Sequence, residues 1–448
     1  MNCTKTVLGC LATVLLLSTQ SMAKEKLTLR EAITTGLEQN NAIKASRYTA
    51  DAAEAGATAA KLHFLPSMTF EESWARSNVP ANTFMMKLNQ GRFFATDMPA
   101  PGNKPATVSD YKTAVVMEQP IFVPSAWAGS RVARLGAERQ QALASQSREQ
   151  VGLTIYHRFL EVYRAHAFVT LAEKAVEEAK ESHRQATVRR SAGLGLKSDE
   201  LRAETHLKAM EQQAISARNT LTLARLQLGI TIGGKQGQEV DIKGGVHLKA
   251  PVKPIELASM LQLARHGRQD LVAADRSYQQ AQAVVLQNQA HYLPTVAALG
   301  SWEMHDHKDA FSQEQDGWAV GVSLRWNFFD GFRTSYTTKQ SIAQRSAASA
   351  HLQTVKDDVD YQVREAFLRK DEAEKRYQVA RVAVEAALET TRLINKRFEN
   401  SLATMVEVLD AQTALNQARA NLVDSEASAA YAAGTVYYAA GSFLKEVQ

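Results

Sequence analysis

Cysteine is nearly missing. The 448 residues contain two, Cys3 and Cys10, and both fall in the N-terminal apolar segment. That excludes a disulfide framework, a thiolate metal site and a cysteine nucleophile from the rest of the chain. Long hydrophobic runs are scarce too. The only one, 7–17, follows Lys5 and precedes Ser21-Met22-Ala23, so 1–23 is expected to be a secretory signal cut after Ala23. Val7-Leu8-Gly9-Cys10 resembles a lipobox but precedes the apolar core, which argues against a lipid anchor on Cys10. A mean hydropathy of -0.28 excludes a polytopic helical membrane protein. Charge of one sign is lacking: the net charge is +5, and nucleic-acid binding gains no support from so small an excess. No nucleophile elbow, HExxH or Walker pattern occurs, and Gly193-x-Gly195 follows a helix rather than a strand, so no phosphate cradle is expected. Neither an enzyme nor a cofactor site is indicated.

Proline is scarce where it matters. All ten prolines lie in 66–124, 251–254 or at Pro294. An interior proline breaks a helix, so the long helices belong in the proline-free stretches. Helices are expected at about 130–190, 198–229, 334–398 and 404–440, after a shorter one over 27–62 with Thr28 as cap and Glu31 three residues on. Sixty helical residues make a rod of about 90 Å, which needs a partner along its length. The returning helices supply it. On the last one Val408, Leu415, Leu422 and Val436 keep a seven-residue spacing, with Ala411, Ala418, Ala432 and Ala439 as small counterparts.

The chain repeats itself. At an offset of 208 residues Arg189 falls on Arg397, Asp199 on Glu407, Leu201 on Leu409, Ala203 on Ala411 and Leu207 on Leu415. At an offset of 228, Leu65-Pro66 falls on Leu293-Pro294 and Trp74 on Trp302. The first copy therefore carries roughly 20 extra residues after Trp74. Between short and long helices the period changes to two: Trp318, Val320, Val322, Leu324, Trp326 and Phe328 alternate with small or polar residues. Strands are expected at about 67–76, 111–122, 295–304 and 316–329, the first pair joined by a loop of about thirty residues that holds the insertion. In an exported protein, alternating strands of about ten residues fit a membrane barrel better than a soluble sheet, though a sandwich strand alternates too. Four strands cannot close a barrel, and lipid tolerates no open edge. Phe93, Phe94, Trp127, Phe328, Phe329, Phe332 and Tyr336 at the strand ends favour an interfacial belt.

The repeat, the tryptophan-bearing hairpins, the strand exits Gln119-Pro120-Ile121-Phe122 and Trp326-Asn327-Phe328-Phe329-Asp330-Gly331, and the returning helix 406–415 together resemble the TolC family of outer-membrane efflux proteins, over 27–441. The resemblance implies a mostly α fold with a transmembrane β-barrel portion: two tandem repeats, four strands per chain given to a homotrimeric barrel, and a long α-helical tunnel across the periplasm. It implies a first repeat at 24–230, a linker at 231–254 in a peripheral equatorial layer, a second repeat at 255–441 and a tail at 442–448. The implied partners are outer-membrane lipid, a periplasmic adaptor (membrane fusion) protein and an inner-membrane pump. Glu407 and Asp410, three apart on one helix face, match two acidic positions that ring the family's periplasmic constriction. Six carboxylates in the trimer would raise one another's pKa and attract cations. Ala403 replaces an arginine that ties the closed gate in some members, and Phe398, an aromatic before the tip, is expected to pack. Gly193, Leu194 and Gly195, with Ser401, Leu402 and Ala403, match the family's adaptor-docking tips.

The expected function is passive exit of small molecules through a tripartite efflux pump. Two alternatives stay open: an outlet for type I polypeptide secretion, and a periplasmic coiled-coil scaffold without a pore. His305-Asp306-His307 invites a metal reading, but its place in the second hairpin's turn suggests a solvated loop. His157, His166 and His183 read as helix-surface residues.

Overall fold

The computed structural model describes residues 25–94, 104–234, 238–243, 256–312 and 315–447; the expected leader, with both cysteines, lies outside them. In chain order the elements are β1 (Glu25–Leu27), α1 (Leu29–Gln39), α2 (Asn41–Leu62), β2 (Ser67–Ser77), α3 (Pro80–Asn89), β3 (Val108–Phe122), α4 (Pro124–Ser191) and α5 (Lys197–Thr231). There follow β4 (Val240–Ile242), α6 (Leu257–Gly267), α7 (Gln269–Gln289), β5 (Thr295–Asp306), β6 (Gln315–Arg325), α8 (Arg333–Glu399), α9 (Met405–Ala439) and α10 (Phe443–Val447). Helix α4 has 68 residues and α8 has 67, so each is a rod on the order of 100 Å. Pro124 sits in the first turn of α4, where its missing N–H costs nothing and its fixed φ suits the helix.

The chain folds into a slab four elements wide. Toward the two helical tips the order is α5, α4, α9, α8; toward the strands it is α2, α4, α7, α8. The sheet order is β2-β3-β5-β6, antiparallel throughout. Helices α5, α2 and strand β2 thus share one edge of the slab, and α8 and β6 the other. Among the described residues neither outer strand, β2 nor β6, has a partner on its free side. The sheet register puts Phe70, Trp74, Val115, Trp302, Trp318, Val320 and Val322 on one face. Asp110, Lys112, Ala114, Ser301, Glu303, His305, Ala319 and Ser323 occupy the other. The first face is mainly apolar and aromatic, with Glu72 and Thr113 hydrogen-bonded to each other within it; its reverse is mainly small and polar.

The two repeats meet at mid-height. Tyr156, Phe159, Ile155, Val162 and Phe443 are fully buried there, with Leu228 and Ile33. Tyr156 donates its hydroxyl proton to the Ala430 carbonyl at 2.8 Å. Gly434 lets that ring approach: a Cβ there would lie 2.5 Å from Tyr156 Cε1. Nearer the tips Ser182 and Gln412, both buried, bond each other across α4 and α9 at 2.9 Å, and Arg419 pairs with Glu178 at 3.0 Å.

Several details depart from the sequence reading. The helix expected over 27–62 is two helices. Thr28 and Glu31 do form a capping box on α1. The chain then breaks at Asn40, whose side chain accepts from the Ala42 and Ile43 amides and donates to the Thr231 carbonyl at 2.7 Å, starting a second helix on its own cap. Strand β6 stops at Arg325, not 329, because its partner β5 begins at Thr295, directly after Pro294. The thirty-residue loop contains α3, begun by Pro80. In the linker, β4 pairs in parallel with β1. His166 is less idle than a surface residue, its Nε2 lying 3.2 Å from buried Asp241 and 2.9 Å from Arg225. The 442–448 tail holds α10, whose Phe443 and Leu444 complete the mid-height core. His305 and Asp306 are not in a solvated loop: both are 5% exposed at the end of β5, since the register sets His305 beside Asp110. Among the described residues no cluster suits a metal ion, and no helix is long and apolar enough to cross a membrane.

Candidate functional site

The tips where α4 turns into α5 and α8 into α9 share one backbone. In the first, Gly193 is left-handed (φ +71), and the amides of Gly193 and Leu194 bond the carbonyls of Arg190 and Arg189 at 3.0 and 2.8 Å. In the second, Ser401 is left-handed (φ 61), and the amides of Ser401 and Leu402 bond the carbonyls of Phe398 and Arg397 at 2.9 and 2.7 Å. This paired closure satisfies the last carbonyls of each helix. Glycine accepts the left-handed geometry freely; serine does so at a cost of about 1 kcal/mol.

Side chains then distinguish the tips. Thr404 and Glu407 form a capping box on α9: the Thr404 amide donates to Glu407 Oε2 at 2.7 Å, and the Glu407 amide to Thr404 Oγ1 at 3.3 Å. The Thr404 backbone bond, helped by the Thr404 hydroxyl and by Arg397, holds the Glu407 carboxyl below its ordinary 4.5. Within one chain, then, its pKa moves opposite to the rise expected from crowding. A depressed carboxyl steadies the tip fully above pH 4.5, and that contribution is lost as pH falls through the lowered value. Asp410 lies one turn further on, exposed, with no hydrogen bond or ion pair among the described residues. Leu194 and Leu402, equivalent in the repeat, are 75% and 67% exposed. They stand at the extremity as apolar knobs. Ala403 packs against the cluster of Ala186, Ala203, Phe398, Met405 and Val408, while a Cβ on Gly195 would press on the Arg190 amide at 3.1 Å.

The residue that brings the tips together is Arg189. Its guanidinium donates to the Phe398 carbonyl at 2.7 Å and to Ser401 Oγ at 2.6 Å, and lies 4.5 Å from the centroid of the Phe398 ring. Phe398 is buried beneath it, as its packing role requires. Beside it Arg190 and Lys197 pair with Glu200 at 2.9 and 2.6 Å. The sequence singled out Arg189 only as the repeat counterpart of Arg397, and Thr404 and Glu200 not at all; the capping-box spacing Thr404-x-x-Glu407 was a usable signal for Thr404.

Comparison with known proteins places this geometry. The family described as outer membrane efflux protein matches residues 32–234 and 260–442. The outer membrane protein TolC of Vibrio cholerae is 23% identical over 316 residues, 68% of this chain and 70% of that protein. The alkaline protease secretion protein AprF of Pseudomonas aeruginosa is 23% identical over 322 residues, 69% of this chain and 65% of its own length. The crystal structure of the Campylobacter jejuni CmeC outer membrane channel superposes with a TM-score of 0.79 at 16% identity, over 99% of this chain and 94% of that one.

Proposed function

This chain belongs to the outer membrane efflux protein family, and from that premise we propose that three copies close into a passive duct that conducts small molecules from periplasm to exterior as the outlet of a tripartite pump. Its place is the Gram-negative outer membrane, with an extension into the periplasm. The observation that carries the proposal is the slab with two unpaired edges. A sheet with open edges at β2 and β6 is not tolerated in lipid. Edge-to-edge association of identical slabs is head-to-tail, and closes into a ring when the rotation allows. The exposed apolar face of β6, with Trp318, Val320, Val322 and Leu324 each 66–75% exposed, suits lipid, and the small polar reverse suits a water-filled lumen. Exposed Trp326, Phe328, Phe329 and Tyr336 at the strand–helix junction suit the interface. At the opposite end of the sheet Phe93 packs edge-on against Phe84 at 4.7 Å rather than standing free.

The tips would form the periplasmic end, with the Leu194 and Leu402 knobs facing the adaptor. Asp410 supplies an unpaired carboxylate, and Glu407 one that also caps its helix. Glutamine can replace glutamate in a capping box, so Glu407→Gln with Asp410→Asn removes the charge and keeps the fold of the tip. The permeability ratio of cation to anion, read as a reversal potential across a planar bilayer under a salt gradient, should fall toward unity. An unaltered ratio would take these carboxylates out of the constriction.

The likeness to AprF supports a second reading, an outlet for secreted polypeptide. A deletion strain separates the two: sensitivity to small toxic compounds favours efflux, and loss of a polypeptide from the medium favours secretion.

A further inference from the structure

The extra residues of the first hairpin do not stand out from the sheet. Helix α3 packs at the end of β3, and Thr83, 3% exposed, donates to the Ser77 carbonyl at 3.4 Å. Gln90, 2% exposed, donates through Nε2 to the Ser109 carbonyl at 2.7 Å and to Asp110 Oδ1 at 2.8 Å. Asp110 Oδ2 lies 2.9 Å from His305 Nδ1 on β5, and beyond it Lys112 pairs with Glu303 at 2.5 Å. Gly91, left-handed at φ +67, passes against the side chain of Gln315 on β6. Asp110, His305 and Gln315 share the polar face of the sheet. The segment leaving α3 therefore crosses three strands on that one face, at the end furthest from the helical tips, and Phe93 on Phe84 holds the crossing close to the helix.

We propose that residues 80–94 form a cap seated over the lumen side of the outer mouth, fastened by Gln90 on the Asp110–His305 pair, and that this cap limits the size of solute able to enter from outside. The inference rests on the duct reading, which makes the polar face the lumen. Three caps, one from each copy, would converge on the outlet. The second hairpin, lacking the insertion, contributes none.

A thiol on the lumen face below the cap tests it. Ser301→Cys, in intact cells, should react with a small membrane-impermeant maleimide and resist a polymer-linked one. Adding Gln90→Ala should speed the polymer reaction at least about tenfold, the population change expected from losing a buried hydrogen bond to a charged group. Equal polymer rates with and without Gln90 would overturn the cap. If Ser301→Cys stayed unreactive to the small reagent even with Gln90→Ala, while lipid-face Val320→Cys reacted, the duct reading itself would fall. A second test spares the anchor. A Cβ on Gly91 lies 3.8 Å from Gln315 Cβ, a spacing suited to a disulfide. Gly91→Cys with Gln315→Cys should cross-link on oxidation; failure to do so in membrane-assembled protein would also overturn the seated position.

Discussion

Arg189→Ala should shift the duct toward its open state, with single-channel open probability rising on the order of tenfold. Among the described residues the guanidinium is the one side chain that bonds the tip of the second repeat from the first, through the Phe398 carbonyl and Ser401 Oγ. Bonds from a charged donor are worth ~1.5–3 kcal/mol each when buried, and the cation–π contact with the Phe398 ring adds ~0.5–1. The site is half-exposed, so solvent screening brings the net to about 1–2 kcal/mol. That corresponds to a roughly 5- to 30-fold change in an equilibrium between tied and parted tips. Arg189→Lys keeps the charge but loses the planar fork that reaches both acceptors, and should fall between. Ala403 offers no donor in its place, and what then remains between the tips is the apolar contact of Ala186 and Ala203 with Phe398, Met405 and Val408. Conductance and open probability identical to wild type would show that the tips move as one body, and that Arg189 holds them together in both states.

Tyr156→Ala should be the most damaging single change away from the tips. The ring is fully buried, packs against Phe443 at 5.7 Å, and is approached so closely by Gly434 that no other residue could stand there unchanged. Truncating a buried aromatic costs about 3–5 kcal/mol, a large part of ordinary domain stability. Assembled protein in the membrane should fall to a small fraction of wild type. Tyr156→Phe loses only the bond to the Ala430 carbonyl, about 0.5–1.5 kcal/mol, and should accumulate almost normally. The contrast is measured by thermal denaturation and by recovery from membranes. Similar losses for both variants would place the importance in the hydroxyl, not the ring.

What could be read in the sequence follows the range of each interaction. Alternation of Trp318, Val320, Val322 and Leu324 is local, and so is the absence of proline from 125–250; strands and rods declare themselves through such patterns. Pro80 misled, because proline marks a loop as readily as it opens a helix, and here it opens α3. Asn40 misled for a related reason: apolar spacing runs on across it, while its side chain ends one helix and caps the next. The site was half legible. Glu407 and Asp410 stood out by spacing beside a tip, but that Glu407 is occupied as a cap depends on where α9 starts. Arg189 was hidden because its partners lie 209 and 212 residues away, and His305 because only the β3–β5 register reveals Asp110 beside it. Nonlocal pairs leave no periodic trace.

One determination bears on the whole account, namely the mass of the detergent-solubilised particle together with its conductance in a bilayer. Three copies per particle and a discrete ion-conducting pore are predicted. A single chain, released from membranes by salt or urea without detergent, would mean that the unpaired edges of the slab meet no sister edges and that the helices form a scaffold with no channel through it.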